Sequence, residues 1–109
     1  MACRYFKALG KVQGVMFRQT IMRGAMKRGL KAGATNLPSK NEVDFMLEGE
    51  DAVIQEMVDF IKSGKAINDW DAKIEKLEEV NTDDSIGDYE VTTENVDSFN
   101  WSTNVNFYL

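Results

Sequence analysis

Apolar positions along this chain recur at two different periods, and the switches between them outline a fold. Residues 2–9, ACRYFKAL, offer Tyr5, Phe6 and Leu9 to a core and predict a first strand. After two glycines, Phe17, Ile21, Met22, Ala25 and Met26 recur at helical spacing, with Arg18, Arg23 and Lys27 on other faces. Gly29 is placed to stop that helix. Residues 30–36, LKAGATN, predict a short strand, and Pro38 in NLPSKN a turn. Val43, Phe45 and Leu47 alternate with Asp44, Met46 and Glu48, a half-buried strand broken by Gly49. Asp51 is a candidate N-cap for a second helix carrying Val53, Ile54, Met57, Val58 and Ile61 on one face, stopped by Gly64. Residues 71–80 start with strand alternation at Ala72 and Ile74 and slip phase at Leu77 and Val80, as a bulge requires; periodicity alone also allows a helix. Residues 81–88 read as an acidic loop, residues 89–93 can add a short strand, and residues 101–108 alternate Trp101, Thr103, Val105 and Phe107 as a last strand.

That order is the split β-α-β arrangement: an α+β domain with two helices packed on one face of an antiparallel sheet. Right-handed crossovers fit the spacings. No repeat or linker divides residues 1–109, so a single domain is expected, with an extended C-terminal connection before its last strand.

Composition adds constraints. No run approaches the roughly 18 apolar residues of a membrane span, and residues 1–9 lack the apolar core of a signal peptide. Cys3 is the lone cysteine, expected as a small buried hydrophobe in a reducing cytoplasm. The net charge of −5 hides a partition: residues 1–40 hold nine Lys or Arg and no acid, while all 18 acids follow residue 40. Either the basic segment makes a local positive potential, or the two charge sets meet in the fold and neutralise each other. A negative net charge and no RRM-like aromatic strand argue against nucleic acid.

The chain contains no histidine, which removes the usual proton shuttle, Ser-His and Cys-His nucleophile pairs and most zinc sites. The acids are scattered without an EF-hand pattern, so no metal site is expected. What remains is GKVQGVMFR, residues 10–18. It is neither a Walker loop nor G-x-G-x-x-G. Gly10 and Gly14 let the backbone bend so that successive N–H groups make a nest for an anion, opening onto a helix N-terminus. Arg18 can then hold two phosphate oxygens with a charge that stays fixed. Lys11 projects from the bend, and Trp70 and Trp101 are candidates for packing or for stacking on a ligand.

GKVQGVMFR resembles the acylphosphatase signature G-x-V-Q-G-V-x-F-R at every specified position. Ala25 and Gly29 fall where that family has a helical alanine and the helix-ending glycine, and Asn36 falls on the asparagine of its second motif, G-W-V-x-N. The resemblance implies a ferredoxin-like βαββαβ fold and hydrolysis of acyl phosphates to a carboxylate and inorganic phosphate, without metal or cofactor. It implies that the backbone of Gln13, Gly14, Val15, Met16, Phe17 and Arg18 cradles phosphate, that Arg18 grips it, and that Asn36 orients the attacking water. Inorganic phosphate would be product and competitive inhibitor, and the protein a cytoplasmic monomer. The chain departs from the pattern at Ala32, Gly33 and Ala34, where the missing aromatic predicts looser packing beside Asn36. The rival reading is a catalytically degenerate phosphate-binding or regulatory module on the same fold.

Overall fold

The computed structural model describes residues 2–81, 85–99, 101 and 105–109. Strands β1 (Ala2–Lys11), β2 (Lys31–Asn36), β3 (Glu42–Gly49), β4 (Lys73–Val80) and β5 (Val91–Thr92) form one sheet in the order β4-β1-β3-β2-β5, and every described pairing is antiparallel. Helices α1 (Phe17–Lys27) and α2 (Asp51–Lys62) make the two crossovers. This is the ferredoxin-like α+β arrangement read from the periodicities.

Strand alternation sends Phe6 and Ala8, Ala32 and Ala34, and Val43, Phe45 and Leu47 into one core with the helices. The registers Phe6↔Phe45 and Ala34↔Phe45 place these side chains in rows across the sheet. Helix α2 adds Ile54, Met57, Val58 and Ile61, each buried and each worth roughly 1.5–3 kcal/mol. Tyr5 and Leu9, expected beside Phe6 in the core, are only half-buried because the period of two turns them to the other face. Cys3 shares that face and is exposed, not buried, with its Sγ 3.2 Å from Glu48 Oε1. Met26 is 41% exposed at the end of α1, outside the expected apolar stripe.

Helix ends follow local chemistry. Gly29, at φ 73°, closes α1 in a Schellman motif: Leu30 N–H donates to the Ala25 carbonyl and Gly29 N–H to that of Met26. At α2 the cap position falls to Glu50, without a side-chain bond, and Asp51 is the first helical residue. There its carboxylate still meets the positive end of the helix dipole.

The phase slip in residues 71–80 is a bulge, not a helix. β4 pairs Lys76 with Leu9 and Ile74 with Gly10, leaving Glu75 unmatched. Gly10 serves that bulge: a Cβ there would lie 2.7 Å from the Glu75 nitrogen.

The expected last strand is not found among the described residues of 101–108. Phe107 makes one isolated bridge to Asn68, and residues 102–104 lie outside the described residues. The fifth strand is instead Val91–Thr92, on β2. The C-terminal residues 105–109 strap the loop before β4: Tyr108 N–H donates to Ile67 O, Asp69 N–H to Asn106 O, and the Tyr108 hydroxyl to Asp69. Leu109 is 2% exposed and packs on Gly24, where a Cβ would come within 2.8 Å of the leucine.

The charge partition resolves into pairing. Arg4 meets Asp51 and Glu79, Lys11 meets Asp71, Arg18 meets Glu90, Arg23 meets Asp97 and Arg28 meets Glu56, each a base from the first forty residues with an acid from the rest.

Candidate active site

Between β1 and α1 the chain turns through residues 12–16. Gly14 sits at φ 74°, a conformation that a side chain strains, although a Cβ there would meet nothing within 4 Å. Met16 follows at φ 61°, an uncommon left-handed position for a residue other than glycine, and caps α1 without a side-chain bond. The turn is held by its neighbours. Gln13 Nε2 donates toward the carbonyls of Leu37, Ser39 and Glu42 at 2.8–2.9 Å, tying it to the β2–β3 turn. Asn68, 1% exposed, donates through Nδ2 to Val15 O and to Thr20 Oγ1, both at 2.8 Å. The Thr20 hydroxyl passes the bond on to Met16 O at 2.7 Å. Asn68 Oδ1 accepts from the N–H groups of Trp70 and Ala72, so one amide joins the turn, helix α1 and the β4 approach.

Among the described residues, no backbone N–H of residues 13–18 donates to a protein acceptor. The last three of that row include the orphan donors of the helix N-terminus, where partial positive charge collects. Beside the turn is a cavity of about 200 Å³ lined by Val12, Gly14, Met16, Phe17, Arg18, Asn36, Trp70 and Trp101. The structure thus brings Arg18 and Asn36 together with Gly14, Met16 and Phe17 of the turn. Gln13 and Val15 lie beside it without lining it, and Lys11 is drawn away to Asp71 at 3.4 Å.

Arg18 stands on the first turn of α1, with its guanidinium paired to the Glu90 carboxylate and over the Trp101 ring at 5.9 Å. Burial pulls its pKa below the ordinary arginine value. Asn36 ends β2 in register with Val43, so it points to the helix-covered face with Ala32 and Ala34. Its Oδ1 is buried and accepts no hydrogen bond among the described residues. A buried acceptor in that state costs on the order of 1–3 kcal/mol, which makes it a feature that needs a reason.

The expected looseness beside Asn36 is not there. Tyr89 lies over Gly33, where a Cβ would fall 2.8–2.9 Å from its side-chain atoms, and is only 8% exposed. Its ring also meets Tyr5 at 6.0 Å. An aromatic from residue 89 therefore covers the position where the resemblance led one to expect a tryptophan on the strand itself. Glu90 follows directly and is anchored by its N–H to Thr35 Oγ1 at 2.9 Å. Asn68, Tyr89 and Glu90 carried no signal in the sequence, because each meets the turn, α1 or β2 across about fifty positions or more. Trp70 and Trp101 were visible as candidates, but not that both line this cavity.

The fold is a split β-α-β, α+β domain whose first crossover opens with a row of N–H groups unpaired among the described residues and a half-buried arginine, features that suit an anion. Comparison with known proteins is specific: the acylphosphatase family model matches residues 4–97, and the chain belongs to that family. An acylphosphatase from Dehalococcoides mccartyi is 36% identical over 64 residues, 59% of this chain and 70% of that protein. One from Gloeobacter violaceus is 36% identical over 55 residues, 50% of this chain and 58% of that protein. The crystal structure of acylphosphatase from Bacillus subtilis superposes with a TM-score of 0.61 at 25% identity, covering 79% of this chain and 91% of that one.

Proposed function

We propose that the chain carries out the acyl phosphate hydrolysis of its family through Arg18, Asn36 and the turn 13–18, with no metal or cofactor in the step. The observation that carries this reading is the shared cavity, in which the guanidinium and a buried amide oxygen meet a turn of N–H groups, the oxygen and the N–H groups being unpartnered among the described residues. The phosphoryl oxygens take the N–H row, and Arg18 exchanges Glu90 for two of them in a bidentate grip. Asn36 cannot accept a proton at neutral pH, but Oδ1 accepts a hydrogen bond from the attacking water and fixes its approach.

As the bond from water oxygen to phosphorus forms, the bond from phosphorus to the acyl oxygen breaks. The electron pair leaves on a carboxylate, and the water's proton passes to the phosphate product or to solvent. A carboxylate with a conjugate-acid pKa of about 4 needs no general acid, which suits a chain without histidine. Phosphoryl transfer then asks mainly for positioning and charge stabilisation. The same reading makes the protein a monomer with inorganic phosphate as a competitive inhibitor, and places it in the cytoplasm, a reducing location that its one free cysteine suits.

The test is hydrolysis of benzoyl phosphate with and without EDTA. Turnover that persists in EDTA, falls about 10³-fold in Arg18→Ala and is inhibited by inorganic phosphate supports the mechanism. Asn36→Ala should lower kcat about 10²-fold while leaving the phosphate inhibition constant nearly unchanged. A folded wild type that binds phosphate but turns nothing over would make this a binding module.

A further inference from the structure

The loop before β4 is held from outside by a second segment of the chain. Resting on the hydrolytic reading above, we infer that residues 105–109 are a positioning strap for the phosphate turn. They fix Asn68, and through Asn68 they set how tightly residues 13–18 hold a phosphoryl group.

The strap is centred on Asn68. Phe107 and Asn68 face each other as an antiparallel bridge. Tyr108 N–H closes it on one side, donating to Ile67 O at 2.9 Å, and Asp69 N–H on the other, donating to Asn106 O at 3.1 Å. The Asp69 carboxylate then accepts from Asn106 N–H at 2.9 Å, from Asn106 Nδ2 at 2.6 Å and from the Tyr108 hydroxyl. Packing alone does not account for this arrangement. Tyr108 is 51% exposed, so its ring gains little by burial and polar bonds are what fix it. Leu109 anchors the strap against Gly24 of α1. Residues 105–109 thus join the loop at 67–69 to the helix into which the phosphate turn opens.

What Asn68 does from that fixed position is specific. Its Nδ2 donates to Val15 O and Thr20 Oγ1, and its Oδ1 accepts from the N–H groups of Trp70 and Ala72. Both donors and both acceptor lone pairs are used, so the side chain has one orientation. Val15 O belongs to the turn, and the Thr20 hydroxyl carries the hold on to Met16 O. Met16 is the left-handed residue at φ 61°, a conformation that persists only where its surroundings impose it. The contacts therefore run without a break from the strap to the strained residue of the turn. With the strap released, the turn populates other shapes, and phosphate binding weakens in proportion to the competent fraction lost. The turn holds the phosphoryl group before and during reaction alike, so the loss falls on binding and not on kcat. Residues 105–109 follow the segment matched to the family, residues 4–97, so the signature motif carries no trace of them.

The experiment uses the intact protein. It measures kcat and KM for benzoyl phosphate, the inhibition constant of inorganic phosphate, the dissociation constant of phosphate by calorimetry, and stability by chemical denaturation. Asp69→Ala removes the carboxylate that accepts from Asn106 and Tyr108, and Tyr108→Phe removes the hydroxyl alone. Val58→Ala, a buried change in α2 outside the cavity lining, is the matched control for lost stability. Asp69→Ala is expected to raise KM and both phosphate constants together, by roughly three- to tenfold, with kcat within about twofold of wild type. Tyr108→Phe should move the same constants in the same direction by about twofold. Val58→Ala should lower stability and leave KM and the phosphate constants unchanged. Unchanged constants in Asp69→Ala, a fall in kcat at constant KM, or an equal rise in Val58→Ala would overturn the strap's role and leave hydrolysis standing. Should Asp69→Ala fail to fold, Tyr108→Phe decides by the same readings. If the wild type turns nothing over, the hydrolytic reading fails and the calorimetric constants alone decide the strap. A wild type that binds no phosphate overturns both.

Discussion

Two regions meet at the cavity and build it by opposite means. Residues 12–18 contribute mainly backbone: a left-handed glycine, a left-handed methionine and a helix start leave a row of N–H groups without acceptors among the described residues. Residues 89–99 and 101 contribute side chains from a stretch with little regular structure, Tyr89 over Gly33, Glu90 on Arg18 and Trp101 under its guanidinium. On the proposed mechanism the first region holds the phosphoryl group that all acyl phosphates share, and the second, through Glu90, sets how freely Arg18 can be used. Binding a common group through backbone makes it insensitive to most substitutions, whereas walls made of side chains can be exchanged one at a time.

That division can be broken at its joints. The largest effect is expected at Asn68, whose amide serves both the turn and the β4 approach. Asn68→Ala strands Val15 O and the N–H groups of Trp70 and Ala72, costing about 3 kcal/mol in chemical denaturation and raising KM with it. A variant with wild-type stability and KM would show that the turn holds its shape unaided.

Next is the aromatic exchange at the sheet. Gly33→Trp should destabilise by about 2 kcal/mol, because the new side chain collides with Tyr89. Tyr89→Gly in the same chain should recover part of that loss, and two costs that simply add would mean that the residues do not share the space.

Glu90→Gln sharpens the comparison directly. On the proposed mechanism the carboxylate that pairs with Arg18 competes with phosphate, so its removal should lower the phosphate inhibition constant by up to about fivefold, the worth of one charged contact near the surface. An unchanged constant would make Glu90 a bystander.

The smallest effect lies far from the site. The hydrogen bond to Glu48, followed by burial and the Glu48 charge, raises the Cys3 thiol above its ordinary pKa. A raised pKa means less thiolate at a given pH, so alkylation at pH 8 should be slower than for a free thiol and a few-fold faster in Glu48→Gln. Equal rates in the two proteins would remove that hydrogen bond from the explanation.

How much of this was legible follows the range of each interaction. The two helices, the bulge between Ile74 and Lys76 and the stop at Gly29 were readable because each depends on neighbours within a few positions. The C-terminal alternation misled: Trp101, Val105 and Phe107 have the period of a strand, yet only Phe107 makes a bridge. Alternation records which side chains seek a core, and residues 105–109 satisfy it by strapping the loop at Ile67–Asp69 and burying Leu109 on Gly24. Cys3 misled in the same way, since a small apolar residue in a strand can face either side.

By itself, then, the order of residues determined the elements, the shape of the turn at 13–18 and the presence of Arg18 at a helix start, all matters of local dihedral preference and period. Only the tertiary structure decided that Asn36 shares a cavity with Arg18, that Tyr89 covers Gly33, and that Glu90 and Trp101 meet the arginine. Such contacts join residues tens of positions apart, and burial in a common core selects them without leaving a period in the sequence.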